Sequence, residues 1–128
     1  MQPLTQEWLN KAEGDFATAQ RELRARKTPN YDAACFHAQQ CVEKYLKARL
    51  QEAIIPFGKT HNLVVLLDLL LPLEPTWKIL RPDVQVLSLF AVEIRYPGTS
   101  ADKVTAREMV KICRKTRILV RASLGLMP

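Results

Sequence analysis

Apolar residues recur every three or four positions along most of the chain, which is the spacing of helices with a buried face. No segment alternates apolar and polar residues in the way that is typical of a strand. Pro and Gly residues stand in most of the segments between the helical patterns. We therefore expect one all-α domain covering residues 1–128, a five-helix up-and-down bundle. The predicted helices lie near residues 5–25, 31–53, 60–71, 83–95 and 105–124.

The second predicted helix has an apolar arc too wide for a one-sided surface helix. We therefore expect it to contact neighbours on more than one side and the chain to form a homodimer through identical faces. The other flank carries a narrow polar strip at helical spacing, which is either a solvated face or a ligand-facing one. The strip consists of His37, Gln40, Lys44 and Lys47, and the apolar arc of Ala34, Cys35, Ala38, Cys41, Val42, Tyr45, Leu46 and Ala48.

Two helix starts are predicted from capping residues. Thr60 is expected to be the N-cap of the third helix, where its hydroxyl would accept a hydrogen bond from a free backbone N–H. Thr105 and Glu108 have the spacing of a capping box at the start of the last helix. The connector 72–83 contains three prolines, and one helical turn around Trp77 is expected within it.

The net charge of +6 comes entirely from the end of the chain. Residues 1–102 carry 12 basic and 12 acidic side chains, whereas residues 103–128 carry seven basic residues and one acidic residue, Glu108. Three explanations of this basic excess remain open: a solvated helix face, contact with an acidic partner, and contact with nucleic acid phosphates. Nucleic acid is the weaker choice of the last two because no aromatic residues are interleaved to stack on bases. The basic face of the last helix consists of Arg107, Lys111, Arg114, Lys115 and Arg121.

The composition, with 48% hydrophobic and 25% charged residues, is that of an ordinary globular domain. The three cysteines have no zinc-ligand spacing, and each lies on a predicted apolar helix face. We expect no metal site and no cofactor. The start of the chain has no basic region followed by an apolar core, and no apolar run is long enough for a membrane span. These features favour a cytoplasmic protein without membrane contact.

Three motifs together resemble the HEPN family (higher eukaryotes and prokaryotes nucleotide-binding). They are FHAQQCVEKYLKA at 36–48, THNL at 60–63 and EIRYPG at 93–98. The resemblance implies a helical bundle that commonly dimerises. Short family members are often encoded beside a minimal nucleotidyltransferase and act with it as a two-component, toxin–antitoxin-like pair.

Many HEPN proteins are ribonucleases that use an Arg followed, after four to six residues, by a His. Arg95 is present here, but the positions that would carry the His hold Ser100, Ala101 and Asp102. We therefore favour a non-catalytic nucleotide- or partner-binding module. The alternative is an RNA-acting enzyme with a degenerate site.

The candidate ligand-binding residues come from the three matching motifs. Lys and Arg would supply charge to a phosphate-bearing ligand, Gln and His hydrogen bonds, and Tyr a stacking face. A structural role remains open for two of them, because His61 follows an N-cap and Arg95 precedes a Pro-Gly helix end. The candidates are His37, Gln40, Lys44, Lys47, Lys59, His61, Arg95 and Tyr96.

Overall fold

The computed structural model describes residues 1–128 and contains only helices. The expected all-α, five-helix bundle is confirmed, and the turn expected around Trp77 is a 3₁₀ helix, Pro75–Leu80. No helix combines the length and the apolar content that a membrane crossing needs. The α-helices are α1 Pro3–Arg24, α2 Tyr31–Glu52, α3 Leu63–Leu70, α4 Arg81–Glu93 and α5 Lys103–Ser123.

Helix α2 lies at the centre of the bundle and contacts α1, α3, α4 and α5. Twelve of its 22 residues are buried, including the polar residues Gln39, Glu43 and Lys47. The expectation that this helix has neighbours on more than one side is therefore correct. Since helices of the same chain cover the wide apolar arc, that arc does not require a second copy of the protein.

Both capping predictions were wrong by a few residues. Helix α3 is capped by Asn62, whose side-chain oxygen accepts hydrogen bonds from the backbone N–H groups of Val64 and Val65. The Thr60 hydroxyl accepts a bond from the Asn62 N–H and so shapes the approach to the helix instead. Helix α5 is capped by Asp102, which accepts a bond from the Thr105 N–H. That bond lowers the pKa of Asp102 because it stabilises the carboxylate.

Two acidic residues of α1, Glu13 and Asp15, face the bundle and pair with basic residues of other helices. Arg117 of α5 donates to both oxygens of Glu13, with N–O distances of 2.6 and 2.9 Å, and its guanidinium lies over the Phe16 ring. Burial alone would raise the pKa of Glu13, but the bonds and charge of Arg117 bring it below 4.5. The pair therefore ties α1 to α5 across the bundle.

The Asn62 cap provides a test of the helix start. We expect Asn62→Ala to lower the free energy of unfolding by about 1 kcal/mol, because two N–H groups of α3 lose their acceptor. Asn62→Asp retains an acceptor oxygen and should cost less. Urea denaturation followed by circular dichroism measures both. If Thr60→Ala proved more costly than Asn62→Ala, the helix would start at the threonine.

Candidate functional site

The first half of the polar strip on α2 is paired with α1. Asp15, itself buried, accepts from Lys44 at 2.5 Å and lies 2.8 Å from Nδ1 of His37. Lys44 and His37 therefore share one carboxylate and are half-buried rather than solvated. This part of the strip is held by an internal charge cluster.

The second half of the strip is organised around Glu43, a buried carboxylate. Lys47 donates to it at 3.2 Å, and Nδ1 of His61 lies 2.9 Å from the same carboxylate oxygen. The side chains of Lys47 and Glu43 are only 5% and 4% exposed, and the Lys47 ammonium also lies 5.3 Å from the Trp8 ring centroid. Lys47 and His61 therefore both approach the same carboxylate oxygen of Glu43, which lies between them.

The remaining candidates from the sequence form no direct ion pair or hydrogen bond with Asp15 or Glu43, although Gln39, the acceptor of Gln40, donates to Glu43 at 3.3 Å. Gln40 donates to Gln39, its neighbour in the chain, and Lys59 is exposed without an ion pair. Arg95 lies over the ring of Phe36, 5.7 Å from its centroid, near the start of α2, and Tyr96 is exposed.

Arg95 and Lys47 therefore lie at different levels of the bundle. Phe36, the contact of Arg95, precedes Lys47 by eleven residues of one helix, which corresponds to about 16 Å. The eight candidates consequently do not line a single pocket.

A cavity of about 680 Å³ opens at the end of the bundle where α1 ends and α5 begins. Four cationic side chains line it, and none forms an ion pair or a side-chain hydrogen bond within the chain. We call it the basic cavity, and its lining residues are Leu23, Arg24, Ala25, Arg26, Pro29, Tyr31, Lys103 and Arg107.

Hydrogen bonds from backbone N–H groups to side-chain oxygens hold the walls of the basic cavity together. Glu22 of α1 accepts from the N–H of Asn30, and the Asn30 side chain caps α2 by accepting from the N–H of Ala33. Asp32 accepts from the N–H of Ala101 at 2.6 Å, which fixes the segment leading into α5. The carboxylates of Glu22 and Asp32, each adjacent in the chain to a lining residue, are thus engaged with backbone N–H groups, and the four lining cations form no ion pair.

The start of α5 is an unfavourable place for cations. The N-terminus of a helix carries partial positive charge, so acidic side chains are usually preferred in the first turn. Helix α5 has no acidic residue in its first turn, and Lys103 stands there instead with Arg107 one turn later. The capping carboxylate of Asp102 offsets part of the positive charge at this helix end, and Lys103 and Arg107 together with Arg24 and Arg26 still favour an anion in the cavity.

Sequence reasoning missed the basic cavity because its cations come from two distant segments. Arg24 and Arg26 belong to a short basic run, 21–27, that extends past the predicted end of the first helix at residue 25. That run, followed by Tyr31, was the available signal. Nothing in the sequence showed that Lys103 and Arg107 would face the same space.

The outer face of α5 is only partly the basic face that was predicted. Lys111, Arg114 and Lys115 are exposed, as is Arg107, which contributes to the basic cavity. Arg121 is an exception, since its guanidinium donates to Glu13 and to the carbonyl of Met127. Arg121 therefore points to α1 and the C-terminal residues, and its assignment to the exposed basic face was wrong.

The three cysteines are poorly placed to act as nucleophiles. All three cysteines are buried, and burial together with nearby carboxylates raises the pKa of Cys35 to about 12. Burial likewise raises the pKa of Cys41 well above its usual value. The thiolate is the nucleophilic form of cysteine. Cys35 and Cys41 therefore stay protonated at neutral pH and serve as core residues, not as nucleophiles.

The buried pair of Glu43 and Lys47 can be tested through its effect on the free energy of unfolding. Glu43→Leu leaves the buried Lys47 ammonium unpaired, and we expect this to cost roughly 3–5 kcal/mol of unfolding free energy. The double variant Glu43→Leu, Lys47→Met removes both charges and should regain most of that loss.

Urea denaturation of the three proteins measures the difference, with Lys59→Met as an exposed control expected to change stability by less than about 0.5 kcal/mol. Equal stability of the single and double variants would show that Lys47 is not buried as described.

Comparison with curated proteins and with solved structures yields no match. Comparison with protein-family models matches the HEPN domain over residues 5–122, nearly the whole chain. That range includes all five helices apart from the first two residues of α1 and the last residue of α5. The chain therefore belongs to the HEPN family.

Proposed function

We propose that this HEPN domain is a non-catalytic module that binds a phosphate-bearing ligand of the nucleotide type in the basic cavity. We further propose that it acts with a minimal nucleotidyltransferase in a two-component, toxin–antitoxin-like pair, as the resemblance to short HEPN proteins implies. The observation that carries the ligand proposal is the group of four unpaired cations around one opening.

The size and lining of the basic cavity suit such a ligand. Its volume of about 680 Å³ lies within the range of small-molecule sites. Arg24 and Arg107 approach from two different helices, so phosphate oxygens placed between them would be contacted from both sides. Arginine guanidinium groups bind phosphate with paired hydrogen bonds. Tyr31 lines the same space and supplies an aromatic ring on which a nucleobase could stack.

A ribonuclease of the HEPN type is the less favoured function. Its proton-transfer histidine should follow Arg95 by the family spacing, and the chain has Ser100, Ala101 and Asp102 at those positions. The two histidines of the protein, His37 and His61, are engaged with Asp15 and Glu43. Both histidines precede Arg95 in the chain, so neither supplies the His that the family motif places after the Arg.

Titration calorimetry with ATP tests the ligand proposal. We expect Arg24→Ala and Arg107→Ala each to weaken binding by roughly ten- to a hundredfold, because each removes a charge-assisted bond worth about 1.5–3 kcal/mol. Lys27→Ala is the matched control, since Lys27 is exposed beside the cavity but does not line it. Tyr31→Leu should weaken binding of ATP but not of inorganic triphosphate, which has no base to stack.

Two results would contradict this location. One is unchanged ATP affinity in the Arg24 and Arg107 variants beside a clear wild-type signal. The other is loss of binding in Lys44→Ala with the arginine variants unaffected, which would return the site to the polar strip of α2.

We also propose that the domain forms a homodimer, with the outer stripe of α4 as its interface. Val86, Leu89 and Val92 recur every three residues and are about half to two-thirds exposed. The stripe is aliphatic and uncharged, so two copies related by a two-fold axis would bury it without like-charge repulsion. Its exposure on a bundle that otherwise has a well-covered core supports this interface.

Sedimentation velocity at micromolar concentration tests the homodimer. The wild type should sediment as a dimer, and Leu89→Glu should shift it to the 14.6 kDa monomer because a carboxylate would be buried in the interface. Val104→Glu introduces the same change at an exposed position on α5 and should leave the dimer intact. A monomeric wild type would refute self-association, and a dimeric Leu89→Glu would refute this interface.

A further inference from the structure

We infer that a groove between the 3₁₀ helix and α5 is the docking surface for an acidic amphipathic helix of a partner protein. The groove has a volume of about 560 Å³, and we call it the α5 groove. Its lining residues are Ile79, Lys111, Arg114, Lys115, Ile118 and Leu119. This surface is separate from the basic cavity, and its test does not depend on ligand binding there.

The apolar part of the α5 groove is exposed although its surroundings are well packed. Trp77 and Leu80 anchor the 3₁₀ helix in the core, and this anchoring leaves Ile79 outside with 62% of its surface exposed. Ile118 lines the groove from α5 and is 45% exposed. Single exposed isoleucines are common on proteins, but two that line one concave surface form a site where an apolar helix face can be buried.

The charges around the α5 groove determine which partner fits. Lys111 and Arg114 form no ion pair within the chain, and Lys115 has only a half-exposed contact with Asp83 at 3.2 Å. Their aliphatic stems extend the apolar surface while their charged ends reach solvent. A partner helix with apolar residues on one face and Glu or Asp on its flanks would satisfy both features at once.

A second copy of the chain is a poor occupant of this groove. A two-fold contact between two α5 grooves would bring Lys111, Arg114 and Lys115 close to the same residues of the other copy. RNA is also a poor occupant, because the groove contains isoleucine and leucine but no aromatic ring on which a base could stack. A partner protein with an acidic helix remains as the occupant that fits.

The probe is a synthetic amphipathic helical peptide with leucines on one face and glutamates along both flanks. A second peptide with lysine in place of each glutamate is the charge control, and an oligouridine strand tests for RNA. Fluorescence anisotropy should show that the acidic peptide binds at least tenfold more tightly than the basic one. That preference should decline with added salt, because the rim charges are exposed.

Variants of the full chain locate the binding. Ile79→Ser and Ile118→Ser should each weaken the acidic peptide several-fold, and Arg114→Glu should weaken it about tenfold or more. Val104→Ser and Lys59→Glu are matched controls on exposed residues outside the groove and should bind as the wild type does. Circular dichroism verifies that each variant is folded.

The inference is overturned if the acidic peptide binds no better than the basic one. It is also overturned if the two isoleucine variants bind the acidic peptide as tightly as Val104→Ser does. Binding of oligouridine that Arg114→Glu abolishes, with no binding of the acidic peptide, would instead assign the groove to RNA.

Discussion

Burial of α2 on several sides is the constraint on which the rest of the structure depends. A buried ionic group is costly unless a counter-charge and hydrogen bonds accompany it. Helix α2 nevertheless carries Lys44 and Lys47 on its polar flank, and the fold supplies Asp15 from α1 and Glu43 from α2 itself. Packing α1 against α2 therefore requires both an apolar fit and a match of charges. His61, beyond the end of α2, lies 2.9 Å from an oxygen of the Glu43 carboxylate.

Because the charges on the central helix are paired inside the bundle, the cations that can bind a ligand or partner lie at its edges. Cations that have no counter-charge lie around the end of α1 and along α5, far from the carboxylates that neutralise the central helix. Two surfaces result, one concave and strongly basic, the other apolar with a basic rim. A small anion suits the first, and an amphipathic protein segment suits the second. A module with these two surfaces is well suited to link a phosphate-bearing ligand to a partner protein.

The fold was largely predictable because it follows from local patterns. The repeats of apolar residues in α1, α2 and α5 are long, and Pro29, Pro56 and Pro97 interrupt the chain between helices. The first residue of a helix was harder to predict, since Thr60 and Asn62 are both good capping residues and lie two positions apart. Which of them caps α3 depends on the path of the backbone in the preceding turn, and in the structure Asn62 is the cap.

The sequence by itself determined the five helices, their apolar faces, the family and the position of the excess charge. The tertiary structure alone decided which charges are free. Lys44 and Arg24 are both basic residues on helices, yet one is neutralised by Asp15 and the other lines an open cavity. Helical periodicity states which side of a helix a residue occupies, but not which helix faces that side. Ion pairs such as Asp15–Lys44 and Glu13–Arg117 join residues 29 and 104 positions apart, so only the packed bundle reveals them.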